Sequence, residues 1–154
     1  MAMADKKFYT WKQIETMSLF IAELVEPKLF THIIGISRGG CIPATIISHK
    51  LDIPMIPVKL STRDHTDEMI PDFPIGHGTG DTYIDQYNFL VVDDINDTGE
   101  TFKRMRSIML HRGAHYVEYA VLIDNEPSEF TVNYWAEKIN KEKDPRWIVY
   151  PWEV

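Results

Sequence analysis

Three features of the sequence predict an α/β fold with a doubly wound, mainly parallel sheet and flanking helices. Short apolar, β-rich runs at 32–36, 56–60, 89–92 and 115–122 alternate with stretches of helical periodicity. One of these runs, Phe89-Leu90-Val91-Val92, lacks polar alternation, as a strand covered on both faces does. The runs at 32–36 and 89–92 each lead into a short polar turn, Ser37-Arg38-Gly39-Gly40 and Asp93-Asp94. Open α/β sheets bind ligands at such carboxyl ends of strands.

The elements follow in order. Thr10 with Gln13 is a capping-box pair, and Trp11, Ile14, Met17, Ile21, Leu24 and Val25 supply the apolar stripe of a first helix that stops before Pro27. The strand at 32–36 passes through Ser37-Arg38-Gly39-Gly40 into a helix over 42–51, whose first turn accommodates Pro43. The next strand is 56–60. From Ser61 to Tyr87 periodicity vanishes and Asp, His, Gly and Pro are dense, the pattern of a long functional or flexible loop. After the strand at 89–92, Phe102, Met105, Ile108 and Met109 recur at helical spacing up to Arg112, and Gly113 can end that helix. A strand over 115–122 follows. Beyond Pro127 the chain reads as a Tyr/Trp-rich stretch, a charged run over 137–144 that is most simply solvated surface, and a last short strand over 147–150. With no internal repeat, low-complexity linker or boundary, residues 1–154 are expected to form one domain.

Composition narrows the function classes. The 154 residues carry a net charge of −7 without any Lys/Arg run, which disfavours a nucleic acid polymer as partner. No stretch approaches the roughly 18 apolar residues of a membrane helix. The start, Met-Ala-Met-Ala-Asp-Lys-Lys, lacks the apolar core of a secretory signal, and the single Cys41 cannot form an internal disulfide, so a cytoplasmic location is expected.

The densest chemistry lies at Asp93-Asp94-Ile95-Asn96-Asp97-Thr98-Gly99-Glu100-Thr101. The first N–H groups of the helix that starts here have no intrahelical partners, and the helix dipole adds positive potential. A phosphate can be held there, with Thr98 and Thr101 hydroxyls as extra donors and Gly99 allowing close approach. Two acids beside a phosphate would repel it unless Asp93 and Asp94 hold sugar hydroxyls, directly or through a hydrated Mg²⁺. In Ser37-Arg38-Gly39-Gly40, the glycines let backbone N–H groups converge on an anion while Arg38 supplies charged donors.

The order of residues 89–101 closely resembles the 5-phosphoribosyl 1-diphosphate signature of type I phosphoribosyltransferases. Ser37-Arg38-Gly39-Gly40 is similar to that family's diphosphate loop, in which the peptide before the equivalent of Arg38 can be strained or cis. The long loop resembles the family's mobile flap, and Arg63 near its start stands as a second cationic contact to diphosphate. Trp147-Ile148-Val149-Tyr150-Pro151-Trp152-Glu153 resembles the end of small bacterial and archaeal purine phosphoribosyltransferases.

The resemblance implies Mg²⁺-dependent transfer of a phosphoribosyl group to a purine, with Mg²⁺ at Asp93 and Asp94, directly or through water. It makes Asp97 and Arg38 the catalytic pair and Asp93, Asp94, Asp97, Thr98, Gly99, Glu100 and Thr101 the ribose and phosphate contacts. Ser37, Arg38, Gly39, Gly40 and Arg63 would hold diphosphate. Asn125, Trp147, Ile148 and Glu153 would contact the base, within a C-terminal hood over about 124–154. It also implies a homodimer or homotetramer. One departure stands out: many 6-oxopurine enzymes of this group carry Lys-Pro where this chain has Asp124-Asn125-Glu126-Pro127. Either Asn125 supplies the missing N–H, the loop shifts register, or the base is not a 6-oxopurine. The rival reading is a non-catalytic sensor of nucleotide or phosphoribosyl diphosphate on the same fold.

Overall fold

The structure, a computed structural model, describes residues 5–60, 84 and 86–154. Its elements are β1 (Lys6–Phe8), α1 (Trp11–Leu24), β2 (His32–Ser37), α2 (Cys41–Leu51), β3 (Met55–Lys59), β4 (Asn88–Asn96), α3 (Glu100–His111), β5 (Tyr116–Asn125), β6 (Tyr134–Ile139) and β7 (Trp147–Val149). Five strands form an all-parallel sheet in the order β3-β2-β4-β5-β6. β1 and β7 form a separate two-stranded parallel sheet. Among the described residues, no helix is long and apolar enough to cross a membrane.

The strand order explains where the helices go. From β2 the chain steps outward to β3, and from β4 it steps the other way to β5. Right-handed crossovers in opposite directions put α2 and α3 on opposite faces. The two cores confirm it. Ala44 and Ile47 of α2 and Ile14 and Ile21 of α1 pack with Leu90, Val92, Ala120 and Leu122. Phe102, Met105 and Met109 of α3 pack with Phe89, Val91, Tyr119 and Val121. Alternate residues of β4 thus serve opposite cores, which is why 89–92 is apolar at every position. Each fully buried Val, Leu, Ile, Phe or Met side chain in this set contributes about 1.5–3 kcal/mol.

Local signals set the helix ends. Thr10 caps α1 in a complete capping box, its hydroxyl accepting from the Gln13 N–H while the Gln13 side chain accepts from the Thr10 N–H. Gly113, at φ +77°, donates to the Leu110 carbonyl and closes α3. The expected stripe of α1 is narrower than its spacing suggests. Ile14, Ser18, Ile21 and Ala22 are buried, whereas Trp11 and Leu24 are exposed.

Several elements depart from expectation. β4 runs on to Asn96, because β5 also continues to Asn125 and keeps pairing with it, Asp93 opposite Val121 and Asn96 opposite Asp124. β1 and β6 were not expected. Two of six residues in β6 are charged and blur its alternation, as in many edge strands. The charged run at 137–144 is not simply a solvated face: Glu137 accepts from Tyr9 Oη at 2.8 Å and pairs with Lys7.

Candidate active site

The topological switch lies between β2 and β4, the neighbouring strands from which the chain departs in opposite directions. Pairing between them ends at Gly35 opposite Val92, while β4 continues against β5 for four more residues. Asp93 and Asp94 therefore sit on a strand whose β2 side has opened, facing the loop that follows β2. A ligand crevice is expected at this point of an open α/β sheet.

Two cavities meet here. The smaller, about 180 Å³, is lined by Asp93 through Phe102 and thus by the start of α3. Gly99 is the N-cap residue at φ +94° and caps no N–H with a side chain. Thr98 Oγ1 accepts from the Glu100 N–H at 3.4 Å. The larger cavity, about 900 Å³, is lined by Lys6, Arg38, Gly39, Ile42, Asp94, Trp147, Val149, Trp152 and Glu153. Asp94 belongs to both.

The loop after β2 is tightly fitted against these acids. The Ser37–Arg38 peptide is cis. Gly40 N–H donates to the Ile36 carbonyl at 2.9 Å, and Cys41 N–H to that of Arg38 at 3.1 Å. A Cβ at Gly39 would lie against the Asp94 carboxylate, 2.6 Å from its Cγ. One at Gly40 would lie 2.5 Å from the Val92 carbonyl oxygen and 2.8 Å from Asp93 Cα. Both positions exclude a side chain for steric reasons that their sequence context alone does not distinguish.

The acids are electrostatically loaded. Asp93 is buried, and its Oδ1 accepts the Asp94 N–H at 2.9 Å. Burial, followed by the Asp94 negative charge, pushes its carboxyl well above the usual carboxylate range. Burial also raises Asp94, with Glu153 adding repulsion. A divalent cation fits such a pair, because Mg²⁺ commonly takes one or two carboxylates and completes its shell with water and substrate oxygens. Among the described residues, no group of three or more His, Cys, Asp or Glu side chains offers an all-protein cage.

Asp97 has a different setting. Its Oδ1 accepts from Asn125 Nδ2 at 3.2 Å, and its Oδ2 from Lys141 Nζ at 2.7 Å. Asn125 also donates to the Asp97 carbonyl at 3.0 Å, while its own Oδ1 accepts the Lys141 N–H. The Asn125 carboxamide is thus engaged on both sides. Trp147 stands largely exposed at the rim of the larger cavity. Trp147 N–H donates to the Asp5 carbonyl, and the Val149 carbonyl accepts from Tyr9 N–H, so these two residues face β1. In a parallel ladder the intervening Ile148 directs its N–H and C=O to the opposite edge. Glu153 Oε2 accepts the Tyr150 N–H at 2.9 Å. Arg63 and nearly all of the expected loop lie outside the described residues.

Several supports had no local signal in the sequence. Asn96, fully buried, donates to Asp124 Oδ1 at 2.8 Å and to the Phe130 carbonyl at 2.7 Å, and it accepts from Ser128 Oγ at 2.8 Å. Glu129 N–H donates to the Thr98 carbonyl, so the chain after β5 braces the Thr98-Gly99 turn from behind. Tyr150 Oη donates to the Asp94 carbonyl at 2.9 Å while its ring stacks on Trp152, centroids 4.5 Å apart. Their partners are 28 to 56 residues away in sequence.

Comparison with known proteins agrees with this geometry. The family model for the phosphoribosyl transferase domain matches residues 10–154. The chain is 31% identical over 151 residues to the xanthine-guanine phosphoribosyltransferase of Idiomarina loihiensis, covering 96% of this chain and 86% of that protein. It is similar to the crystal structure of a purine phosphoribosyltransferase from Pyrococcus horikoshii, with TM-score 0.77, 29% identity, and 97% and 95% of the two chains covered. The Helicobacter pylori xanthine-guanine-hypoxanthine phosphoribosyltransferase shares the fold at TM-score 0.74 and 18% identity, over 97% and 94% of the chains. A parallel sheet opened at its switch point, an amide-lined helix start beside paired aspartates and a family match over nearly the whole sequence lead to one statement: this chain belongs to the phosphoribosyl transferase domain family, as a type I phosphoribosyltransferase resembling the small purine enzymes.

Proposed function

We propose that the protein transfers the 5-phosphoribosyl group of 5-phosphoribosyl 1-diphosphate to a purine base, most favourably a 6-oxopurine, in the presence of Mg²⁺. The observation that carries this reading is Asp94, common to a cavity lined by the start of α3 on one side and a cavity lined by Arg38 and an exposed indole on the other. A substrate with a phosphate at one end, a pentose in the middle and a flat base or diphosphate at the other matches that arrangement.

In the reaction, the bond from sugar C1 to the diphosphate oxygen breaks and the leaving group takes the electron pair. A bond from C1 to a purine nitrogen forms, and the ring proton that the base must lose passes to Asp97. The amides of Gly99 to Thr101 and the Thr98 and Thr101 hydroxyls bind the 5-phosphate. Asp93 and Asp94 orient the ribose hydroxyls, and with Mg²⁺ bound they would hold a cation that neutralises charge on the departing diphosphate. Ser37, Gly39 and Gly40 shape the loop from which Arg38 donates to that diphosphate. Trp147 stacks on the base, Ile148 offers main-chain groups to its edge, and Glu153 accepts from an exocyclic amine or ring N–H. The C-terminal hood, a single domain over 1–154 and a cytoplasmic location belong to the same proposal.

The test is diphosphate release from 5-phosphoribosyl 1-diphosphate with hypoxanthine, guanine, xanthine and adenine, each with Mg²⁺ and with chelator. Release with at least one purine, abolished by chelator, is expected. No release with any base would overturn the transfer reading and favour a sensor on the same fold.

A further inference from the structure

Lys141 belongs to the charged stretch that the sequence suggests is mere surface, yet its side chain is only 22% exposed and its ammonium pairs with Asp97, a residue lining the smaller cavity. Nζ is 2.7 Å from Asp97 Oδ2 and 5.8 Å from the centroid of the Trp147 ring. It therefore touches the acid at the sugar end and the indole at the base end together. Its backbone is fixed: Lys141 N–H donates to Asn125 Oδ1 at 3.0 Å. The adjoining turn is closed by Lys143 and Asp144 N–H groups donating to the Asn140 carbonyl, and Asn140 Nδ2 donates to Glu126 Oε2 at 3.0 Å. Two cations near it in sequence are engaged elsewhere, Lys138 with Asp124 and the Trp135 ring, Arg146 with Asp144.

We propose that Lys141, delivered from the connection between β6 and β7, is the residue that selects the base. Its ammonium donates to an exocyclic oxygen of a purine lying against Trp147, while the adjacent Asp97 carboxylate accepts the neighbouring ring N–H. An ammonium has three donors and no acceptor, so after its bond to Asp97 it still has N–H groups for an oxo oxygen and none of the lone pairs an amine would require. The 2.7 Å pair thus presents a donor beside an acceptor, complementary to a base edge with C=O beside N–H. A base with an amine at that position would set its N–H groups against the ammonium, leaving both unpaired. This assigns the oxo contact to Lys141 and leaves Asn125, whose carboxamide is engaged on both sides, to hold Asp97 and Lys141 in place. The inference rests on the proposed purine site.

The test uses the full chain and Lys141→Met, which keeps much of the apolar stem, with Lys141→Arg as the charge-retaining control. Binding of inosine 5′-monophosphate and adenosine 5′-monophosphate is measured by calorimetry beside initial rates with hypoxanthine and adenine. The parent should prefer the 6-oxo ligand, and Lys141→Met should lose that preference by about 10- to 100-fold, the range for one charge-assisted hydrogen bond. Affinity for ribose 5-phosphate, which reports the intact α3 start, should stay within about twofold, and Lys141→Arg should recover part of the preference. A parent without 6-oxo preference, or a Lys141→Met protein that keeps it, overturns the assignment. If the parent shows a Lys141-dependent preference in binding but transfers to no base, the assignment stands and the transfer reading falls. If transfer proceeds with a preference indifferent to Lys141, the reverse holds.

Discussion

Gly39 and Gly40 are adjacent in sequence and chemically identical, yet substituting each with alanine should fail in a different way. At Gly39 the new methyl would collide with Asp94 Oδ2 and lie 2.6 Å from its Cγ, and ordinary contact begins near 3.4 Å, so the carboxylate must retreat by about 1 Å. Retreat is opposed on one side by Glu153, which lines the same cavity and already repels the Asp94 charge. A displacement approaching 1 Å of a substrate-positioning group can cost about 100-fold in rate, or about 2.7 kcal/mol in the barrier. The fold itself should tolerate Gly39→Ala, because the clash is confined to one side chain. At Gly40 the methyl meets backbone, the Val92 carbonyl at 2.5 Å and Asp93 Cα at 2.8 Å, which cannot rotate aside. Overpacking of that kind costs about 1–3 kcal/mol or more, and each kcal/mol lowers the melting temperature of a domain this size by about 2–4 °C. The assay pairs kcat/KM for diphosphate release with thermal melting. Gly39→Ala should be catalytically poor and thermally near normal, whereas Gly40→Ala should melt several degrees early. A Gly39→Ala enzyme within threefold of the parent in kcat/KM would show that the observed Asp94 position is not needed for turnover, and the steric reasoning would fail.

Three other outcomes are expected. Asp97→Asn should reduce kcat by about 100- to 1,000-fold while leaving substrate affinity largely intact, as loss of a group acting only in the transition state does; unchanged turnover in steady-state kinetics would remove its role as proton acceptor. Asp93 holds its proton more tightly in the folded chain than in the unfolded one, so it weakens the ligand-free protein as pH rises from the ordinary carboxylate range to its raised folded value. Asp93→Asn should therefore melt higher than the parent at neutral pH, by about 0.5–2 kcal/mol of stability, with the gap closing on acidification; a gap independent of pH would contradict the electrostatic account. Asn96→Ala should leave Asp124, Ser128 and the Phe130 carbonyl without their shared partner, costing about 1–3 kcal/mol in chemical denaturation and raising KM for 5-phosphoribosyl 1-diphosphate as the Thr98 turn loosens. An Asn96→Ala protein with both quantities unaltered would argue against bracing from behind.

What could be read from the sequence alone is what neighbouring residues decide among themselves. The Thr10 and Gln13 cap, Gly113 as a terminator, the uninterrupted apolar run at 89–92 and the acids preceding a Thr-Gly helix start are all local, and each appears in the fold where local chemistry puts it. The order of these pieces was enough to identify the family. Tertiary structure decided everything that depends on pairing across long separations. β1 is three residues, too short to show a period, and it exists by pairing with β7 across nearly the whole length of the sequence. β4 outlasts its apolar run because β5 continues beside it. Lys141 reads as one more charge in an acidic and basic stretch until folding brings it 44 residues back to Asp97. A side chain's neighbours along the chain determine its helix or strand, but its electrostatic partner is chosen by topology, and no local pattern encodes that choice.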